Sequence, residues 1–148
     1  MSDWMIRQAT PHDWPQIAPL LTTADLPLDG AEEHLSEFFL AFRGNALIGS
    51  AGLERYGDIA LLRSVAVAPS ERGQRLGQTL VQRALAEVAS QGVRQVVLLT
   101  TTASDFFPRF GFHVINRTEV PLAAQASVEF QEACPTSATI MSLMLGEE

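Results

Sequence analysis

Val65-Ala66-Val67-Ala68-Pro69-Ser70-Glu71-Arg72-Gly73-Gln74-Arg75-Leu76-Gly77-Gln78 joins an apolar strand to a long helix. The strand side is Ile59 to Val67, closed by Pro69. On the helix side Leu76, Leu80, Val81, Ala84, Leu85 and Val88 fall on one stripe, and Gly92 stops it. A glycine-punctuated turn at a helix N-terminus leaves backbone N–H groups without intrahelical partners, and the helix dipole adds to their pull on an anion. Glycine lets the backbone approach the ligand, while arginine adds charge-assisted bonds. The stretch therefore reads as a pyrophosphate cradle; a simple helix start is the plainer reading of the same spacing.

Composition narrows the chemistry around it. The 148 residues carry 10 cations against 17 acids, a net charge of −7, and every cation is arginine. Without lysine there is no Schiff-base catalysis and no lysine-bearing phosphate loop. A single cysteine, Cys134, excludes an intrachain disulfide and a thiolate zinc site, so no metal is expected. The acidic balance argues against a general nucleic-acid binder. No apolar run approaches the ~18 residues that span a bilayer, and the start shows no basic region followed by an apolar stretch. One soluble, cytoplasmic domain over residues 1–148 is expected. Charge is unevenly spread, however. Residues 59–118 hold seven arginines (Arg63, Arg72, Arg75, Arg83, Arg94, Arg109, Arg117) and three acids (Glu71, Glu87, Asp105). Such an island suits an anionic ligand, or is a set of solvated faces.

Outward from the cradle, the pattern predicts alternating elements. Ile6 to Thr10 reads as a strand and Pro11 to Leu21 as a helix with Asp13 in its first turn. Ala31 to Ser36 reads as a short helix. Glu37 to Phe42 and Ala46 to Leu53 form a hairpin about Arg43-Gly44-Asn45. Val93 to Thr101 is a strand, Ser104 to Phe110 a short helix, and Phe112 to Val120 and Ala138 to Leu145 are strands; residues 121–137 carry no clear pattern. The order implies an α/β domain (α+β in some schemes) with a mixed sheet.

Val65-Ala66-Val67-x-Pro69 followed by Arg72-Gly73-x-x-Leu76-Gly77 resembles the signature of the GNAT N-acetyltransferases, whose acetyl-CoA loop runs Arg/Gln-x-x-Gly-x-Gly/Ala. Phe106-Phe107-x-Arg109-x-Gly111-Phe112 is similar to a second family motif, and Ile6-Arg7-x-Ala9-Thr10-x-x-Asp13 to a common family opening. The resemblance covers nearly the whole chain. It implies the GNAT fold, a mixed central sheet splayed between strands 4 and 5 with flanking helices. It also implies acetyl-CoA as co-substrate, held by Val65, Val67, Arg72, Gly73, Gln74, Arg75, Leu76, Gly77, Gln78 and Phe107. The backbone N–H of Val65, at an expected bulge, would polarise the acetyl carbonyl.

Three positions depart from the family pattern. Arg75 replaces the central loop glycine, and a compact helical-start conformation is expected there; it contacts phosphate or is simply solvated. Phe107 stands where many relatives carry a thiolate-protonating tyrosine, and Leu61 where several place a general-base glutamate. Replacement groups are Glu54 as base and Thr101, within Thr100-Thr101-Thr102 and Ser104, as a hydroxyl relay. Their plainer readings are a surface glutamate paired with Arg55 or Arg43, and a strand-end and capping run. Arg63 interrupts an apolar strand and is expected to share a face with Leu61 and Val65. It either clamps a substrate carboxylate or forms an ion pair with Glu54 or Asp58. Tyr56 and His34 complete the candidate acceptor side.

Leu99-Thr100-Thr101 with the second motif resembles the acetyltransferase domain of bacterial N-acetylglutamate synthases. Residues 121–138, through Glu129-Phe130 and Cys134-Pro135, resemble small acetyltransferases of arsenic-resistance operons. One cysteine is a poor site for trivalent arsenic, so this implies acetylation of an amino-acid-like organoarsenical. The expectation is direct acetyl transfer to a small-molecule primary amine, with a homodimer as the family's frequent assembly. A CoA-binding regulatory module and a peptide or protein amine acetyltransferase are the alternatives.

Overall fold

The computed structural model describes residues 4–73, 75–101, 103–127 and 138–145. Its strands and helices are β1 (Met5–Gln8), α1 (Trp14–Thr23), β2 (Phe38–Arg43), β3 (Ala46–Tyr56), β4 (Ile59–Val67), α2 (Leu76–Ser90), β5 (Gln95–Thr100), β6 (His113–Ile115) and β7 (Thr139–Met144). They form one sheet of order β1-β2-β3-β4-β5-β7-β6. Every neighbouring pair is antiparallel except β4–β5. That parallel pair is short: Ile59, Ala60 and Leu61 meet Gln95, Val96 and Val97, and the ladder then ends. Beyond Leu61 the two strands part, which is the expected splay of a mixed α/β sheet.

The sheet is sandwiched. α2 lays Leu76, Leu80, Val81, Ala84 and Val88 on one face, against Phe39, Ala41, Leu53, Leu62, Val96 and Leu98. α1 covers the other face with Ile17, Leu20 and Leu21 on Phe38, Leu40 and Ala66. Gly52 is required beneath the Phe38 ring, because a Cβ there would lie 2.3 Å from its edge. No helix among the described residues is long and apolar enough to cross a membrane.

Several elements differ from the sequence reading. The expected helix from Pro11 begins as a 3-10 turn (Pro11–Asp13) and becomes α-helical at Trp14. The helix expected over 31–36 is a 3-10 segment, Glu32–Glu37. The one expected over 104–110 is a turn followed by 3-10 residues Phe107–Phe110, with Pro108 in the first turn and a left-handed Gly111, φ 101°, ending it. The strand expected over 112–120 stops at Ile115. Asn116 and Glu119 form a capping box, with Asn116 N donating to Glu119 Oε1 at 2.7 Å, that opens a 3-10 turn, Arg117–Glu119. A further 3-10 turn, Ala124–Ala126, lies in the stretch without a pattern. Glu129, Phe130 and Cys134 lie outside the described residues.

Candidate active site

The parting of β4 and β5 opens a cavity of about 1430 Å³. Its walls are β4 from Leu62 to Val67, the cradle, the end of β5 with Thr101, Phe106–Phe107 and Arg109, and the 22–29 segment, which is the end of α1 and the loop that follows. At the cradle end α2 begins at Leu76, and its first i→i−4 bond is Thr79 N to Arg75 O at 3.0 Å. The N–H groups of Leu76, Gly77 and Gln78 therefore precede the helix ladder, and no acidic residue occupies the first turn. Arg72, Arg75 and Arg109 line the same space, and none pairs with a carboxylate among the described residues. The nearby Glu71 is instead gripped from the β2–β3 hairpin: Arg43 Nε and Nη2 donate to its two oxygens at 3.0 and 2.7 Å. These bonds hold the Glu71 carboxyl below its ordinary value, against a smaller opposing effect of burial. Of the predicted cradle, Val65, Val67, Arg72, Gly73, Arg75, Leu76, Gly77, Gln78 and Phe107 line the cavity; Gln74 lies outside the described residues.

Arg75 does not take the helical-start conformation expected of it. Its φ of 65° and ψ of 14° are left-handed, the region that favours glycine. Gly73 is also left-handed, at φ 85°. Closing the turn between the 3-10 residues Pro69–Glu71 and α2 sets both angles.

Midway along the cavity β4 bulges. Ser50 pairs with Ala66 and Gly52 with Arg63, so Ser64 and Val65 together stand opposite Ala51. Ser64 is left-handed, φ 58°. The extra residue slips the alternation. Leu61 and Arg63 share a face as expected, but Val65 does not join them; it packs with Val67 on the α2 side, while Ala66 returns to the α1 side. The bulge is held from both sides: Ser50 Oγ donates to Ser64 O at 2.6 Å, and Arg63 Nε donates to Ser64 Oγ at 3.1 Å.

Behind the bulge the candidate acceptor residues converge. Arg63 Nη1 donates to Glu54 Oε2 at 2.7 Å, and Arg63 Nη2 to the carbonyl of Pro27 at 3.1 Å. Tyr56 donates a short hydrogen bond to Glu54 Oε1. His34 Nε2 is 3.9 Å from that oxygen, and its ring is 6.4 Å from the Tyr56 ring. Burial pushes the Glu54 carboxyl up, but bonds from Tyr56, Arg63 and the buried Ser127 outweigh it, so Glu54 titrates below its ordinary value. Burial and the bond to Glu54 push Tyr56 up to about 12, which keeps it a neutral donor. The Glu54 and Arg63 side chains are 1% and 0% exposed. Glu54 is thus neither the surface residue of one reading nor paired with Arg43 or Arg55. Arg63 forms the ion pair with Glu54 that was one of its two readings, with its fork spent on protein acceptors. Of Glu54, Tyr56, His34 and Arg63, Arg63 alone borders the cavity. Thr101 borders it and is exposed; Thr100 accepts a bond from Ala103 N–H at 2.9 Å, the capping use expected of such a run.

Phe107 is buried against Phe106, Phe110 and Phe112, with Arg109 stacked over Phe106 at 4.7 Å. Leu61 is fully buried with Val97 and Ile140. Sequence reasoning missed Ser50, Ser64, Ser127 and the Arg43–Glu71 grip. Small buried serines carry no periodic signal, and the grip joins residues 28 apart in the chain.

The sequence profile of the acetyltransferase (GNAT) domain matches residues 34–114, a span containing the cradle, the bulge and the Phe107–Phe112 turn. The chain belongs to the GNAT acetyltransferase family. An uncharacterised N-acetyltransferase of Chlorobaculum tepidum is 34% identical over 90 residues, covering 60% of this GNAT chain and 57% of the relative. An amino-acid acetyltransferase of Mycobacterium tuberculosis is 30% identical over 140 residues, covering 88% of this chain and 77% of the relative. In structure, the N-acetylglutamate synthase of Neisseria gonorrhoeae, solved with coenzyme A and N-acetyl-glutamate, superposes with a TM-score of 0.83 at 23% identity. The match covers 99% of this chain and 36% of that one. This GNAT domain therefore spans little more than half of the first relative and about a third of the Neisseria chain.

Proposed function

We propose that this domain transfers an acetyl group from acetyl-CoA to the primary amine of an amino acid or amino-acid-like molecule by direct attack. The observation that carries the reading is continuity. One cavity runs from the unpartnered N-terminus of α2, past the β4 bulge, to the 22–29 segment. The residues fit the cofactor's parts: the Leu76–Gln78 amides with Arg72, Arg75 and Arg109 for phosphates, and the open edges of β4 and β5 for an extended amide chain. The relative named an amino-acid acetyltransferase, matched over most of its length, supports the acceptor class.

In this reading the Val65 N–H holds the acetyl carbonyl oxygen and stabilises the charge that develops on it. The neutral amine adds its lone pair to the thioester carbon. The C–S bond then breaks, sulfur leaves as thiolate and takes a proton through Thr101 or water, and the amine proton passes to water. Glu54, ionised and shut behind Arg63, serves as the charge that holds Arg63, and Arg63 holds the Pro27 segment that bounds the acceptor side. Tyr56 and His34 complete that support. Positioning supplies most of the rate, which suits a site with apolar Phe107 and Leu61. Those same two residues favour the second reading, a CoA-binding module with little turnover.

A thiol-release assay with acetyl-CoA and a panel of amino acids, polyamines, peptides, amino-phosphonates and an amino-acid-like organoarsenical tests this. Turnover is expected on amino-acid-like amines, with the organoarsenical as the finer candidate. CoA binding without release on any amine overturns the reading in favour of the binding module.

A further inference from the structure

The Ser64–Val65 peptide has one end in each of two environments. Its carbonyl, on Ser64, accepts from the fully buried Ser50 hydroxyl at 2.6 Å. Its N–H, on Val65, belongs to a residue that lines the cavity. In a trans peptide the C=O and N–H point in opposite directions, so a bond that fixes one aims the other. The bulge takes both residues out of the β3–β4 pairing, and β5 has already left β4 at Leu61. Neither residue of this peptide therefore has a register partner in the sheet, and the Ser50 hydroxyl is what bonds its carbonyl. A second brace, Arg63 Nε to Ser64 Oγ at 3.1 Å, holds the left-handed residue from the opposite side of the same unit.

We propose that Ser50 is a positioning residue for acetyl transfer, acting through the Ser64 carbonyl to aim and polarise the Val65 N–H. Donation to a peptide oxygen draws electron density toward it and makes the N–H of that peptide a stronger donor. Ser50 thus works one bond away from the reacting carbonyl, from the interior of the sheet. The inference rests on the proposed role of Val65 and adds the residue that sets its strength. Nothing in the linear pattern marks Ser50, which lies 14 positions from its partner in a strand read only as one arm of a hairpin.

Isotope-edited infrared spectroscopy of acetyl-CoA labelled at the thioester carbonyl, bound to the intact protein, separates the two levels. Wild type is expected to lower the carbonyl stretch relative to free acetyl-CoA. Ser50→Ala should lose a large part of that shift, and Ser50→Thr, which keeps the hydroxyl, should recover it. With an accepted amine, Ser50→Ala should lower kcat by about tenfold while KM for acetyl-CoA stays within about twofold, since a full oxyanion donor is worth on the order of 10²–10³. Ser64→Gly tolerates the left-handed angle and removes only the Arg63 brace, so it gives a partial loss even where Ser50→Ala folds poorly. An equal shift in wild type, Ser50→Ala and Ser64→Gly overturns the positioning role and leaves the Val65 reading intact. No shift in wild type overturns the Val65 reading itself.

Discussion

Arg75 combines two effects of opposite sign. Its left-handed backbone costs a non-glycine residue about 1–2 kcal/mol, while glycine there adds up to about 1 kcal/mol of chain entropy to be lost on folding. Arg75 lines the end of the cavity proposed for phosphate and has no carboxylate partner among the described residues. Arg75→Gly is therefore expected to raise stability by about 0.5 kcal/mol and to weaken CoA binding a few-fold, measured by thermal unfolding and by titration with CoA. Unchanged affinity would mean that the side chain is only solvated. Residue type marked this position as unusual, because glycine was expected and arginine found. The backbone angle was not legible, because it is set by how the turn closes and not by the propensity of one residue. Glu54 and Arg63 show the same divide. The sequence placed both near the acceptor side and offered their ion pair as one reading, but whether Arg63's fork was free depended on Pro27, a carbonyl 36 residues away.

At the scale of elements, hydrophobic period located the strands and α2 but not their irregularities. The family resemblance, not the period, placed a bulge at Val65, and the bulge is there. The face assignment kept the unbroken period, so Val65 was assigned to the face of Arg63 and is found on the other. The Asn116-x-x-Glu119 box could have been read as a stop to the strand after Ile115, and the apolar residues up to Val120 masked it. The junction of β1 with α1 was more legible, because Asp13 opens the helix as expected. Asp13 accepts from Arg7 through both oxygens, at 2.9 Å each, and from Thr10 N at 2.8 Å. Arg7's bonds lower its pKa to about 2, against a smaller upward push from burial. A carboxylate depressed in the folded state contributes stability that is fully present above its unfolded value and is lost as pH falls toward about 2. Asp13→Asn should therefore be less stable than wild type at pH 7, by on the order of 1–2 kcal/mol, with the gap closing between about pH 4 and pH 2. Thermal unfolding across that range checks it; a gap independent of pH would show that hydrogen-bond geometry, not charge, holds the junction.

For the whole molecule, the net charge of −7 and an anion-binding role proposed for one end of the cavity are reconciled by where the acids are held. Glu71 is the one acid within the cradle stretch, one residue before Arg72, and it also borders the cavity. Left unpaired, its carboxylate would compete with phosphate for Arg72 and Arg75. Arg43, reaching from the turn end of the β2–β3 hairpin, takes both of its oxygens and so keeps the cradle positive. Arg43→Gln should raise the Kd for CoA by about tenfold at low ionic strength, and by less in 0.5 M salt, where the Debye length falls to about 4 Å. Glu71→Gln, which removes the competing charge, should bind CoA at least as well as wild type. The double variant should recover most of what Arg43→Gln lost, because the harm comes from a released carboxylate and not from a missing arginine. If instead the double variant binds as poorly as Arg43→Gln at every salt concentration, the pair acts by holding the loop's shape. Unequal outcomes at low and high salt are what distinguish a screened charge from a displaced backbone, since only the first weakens as ions are added.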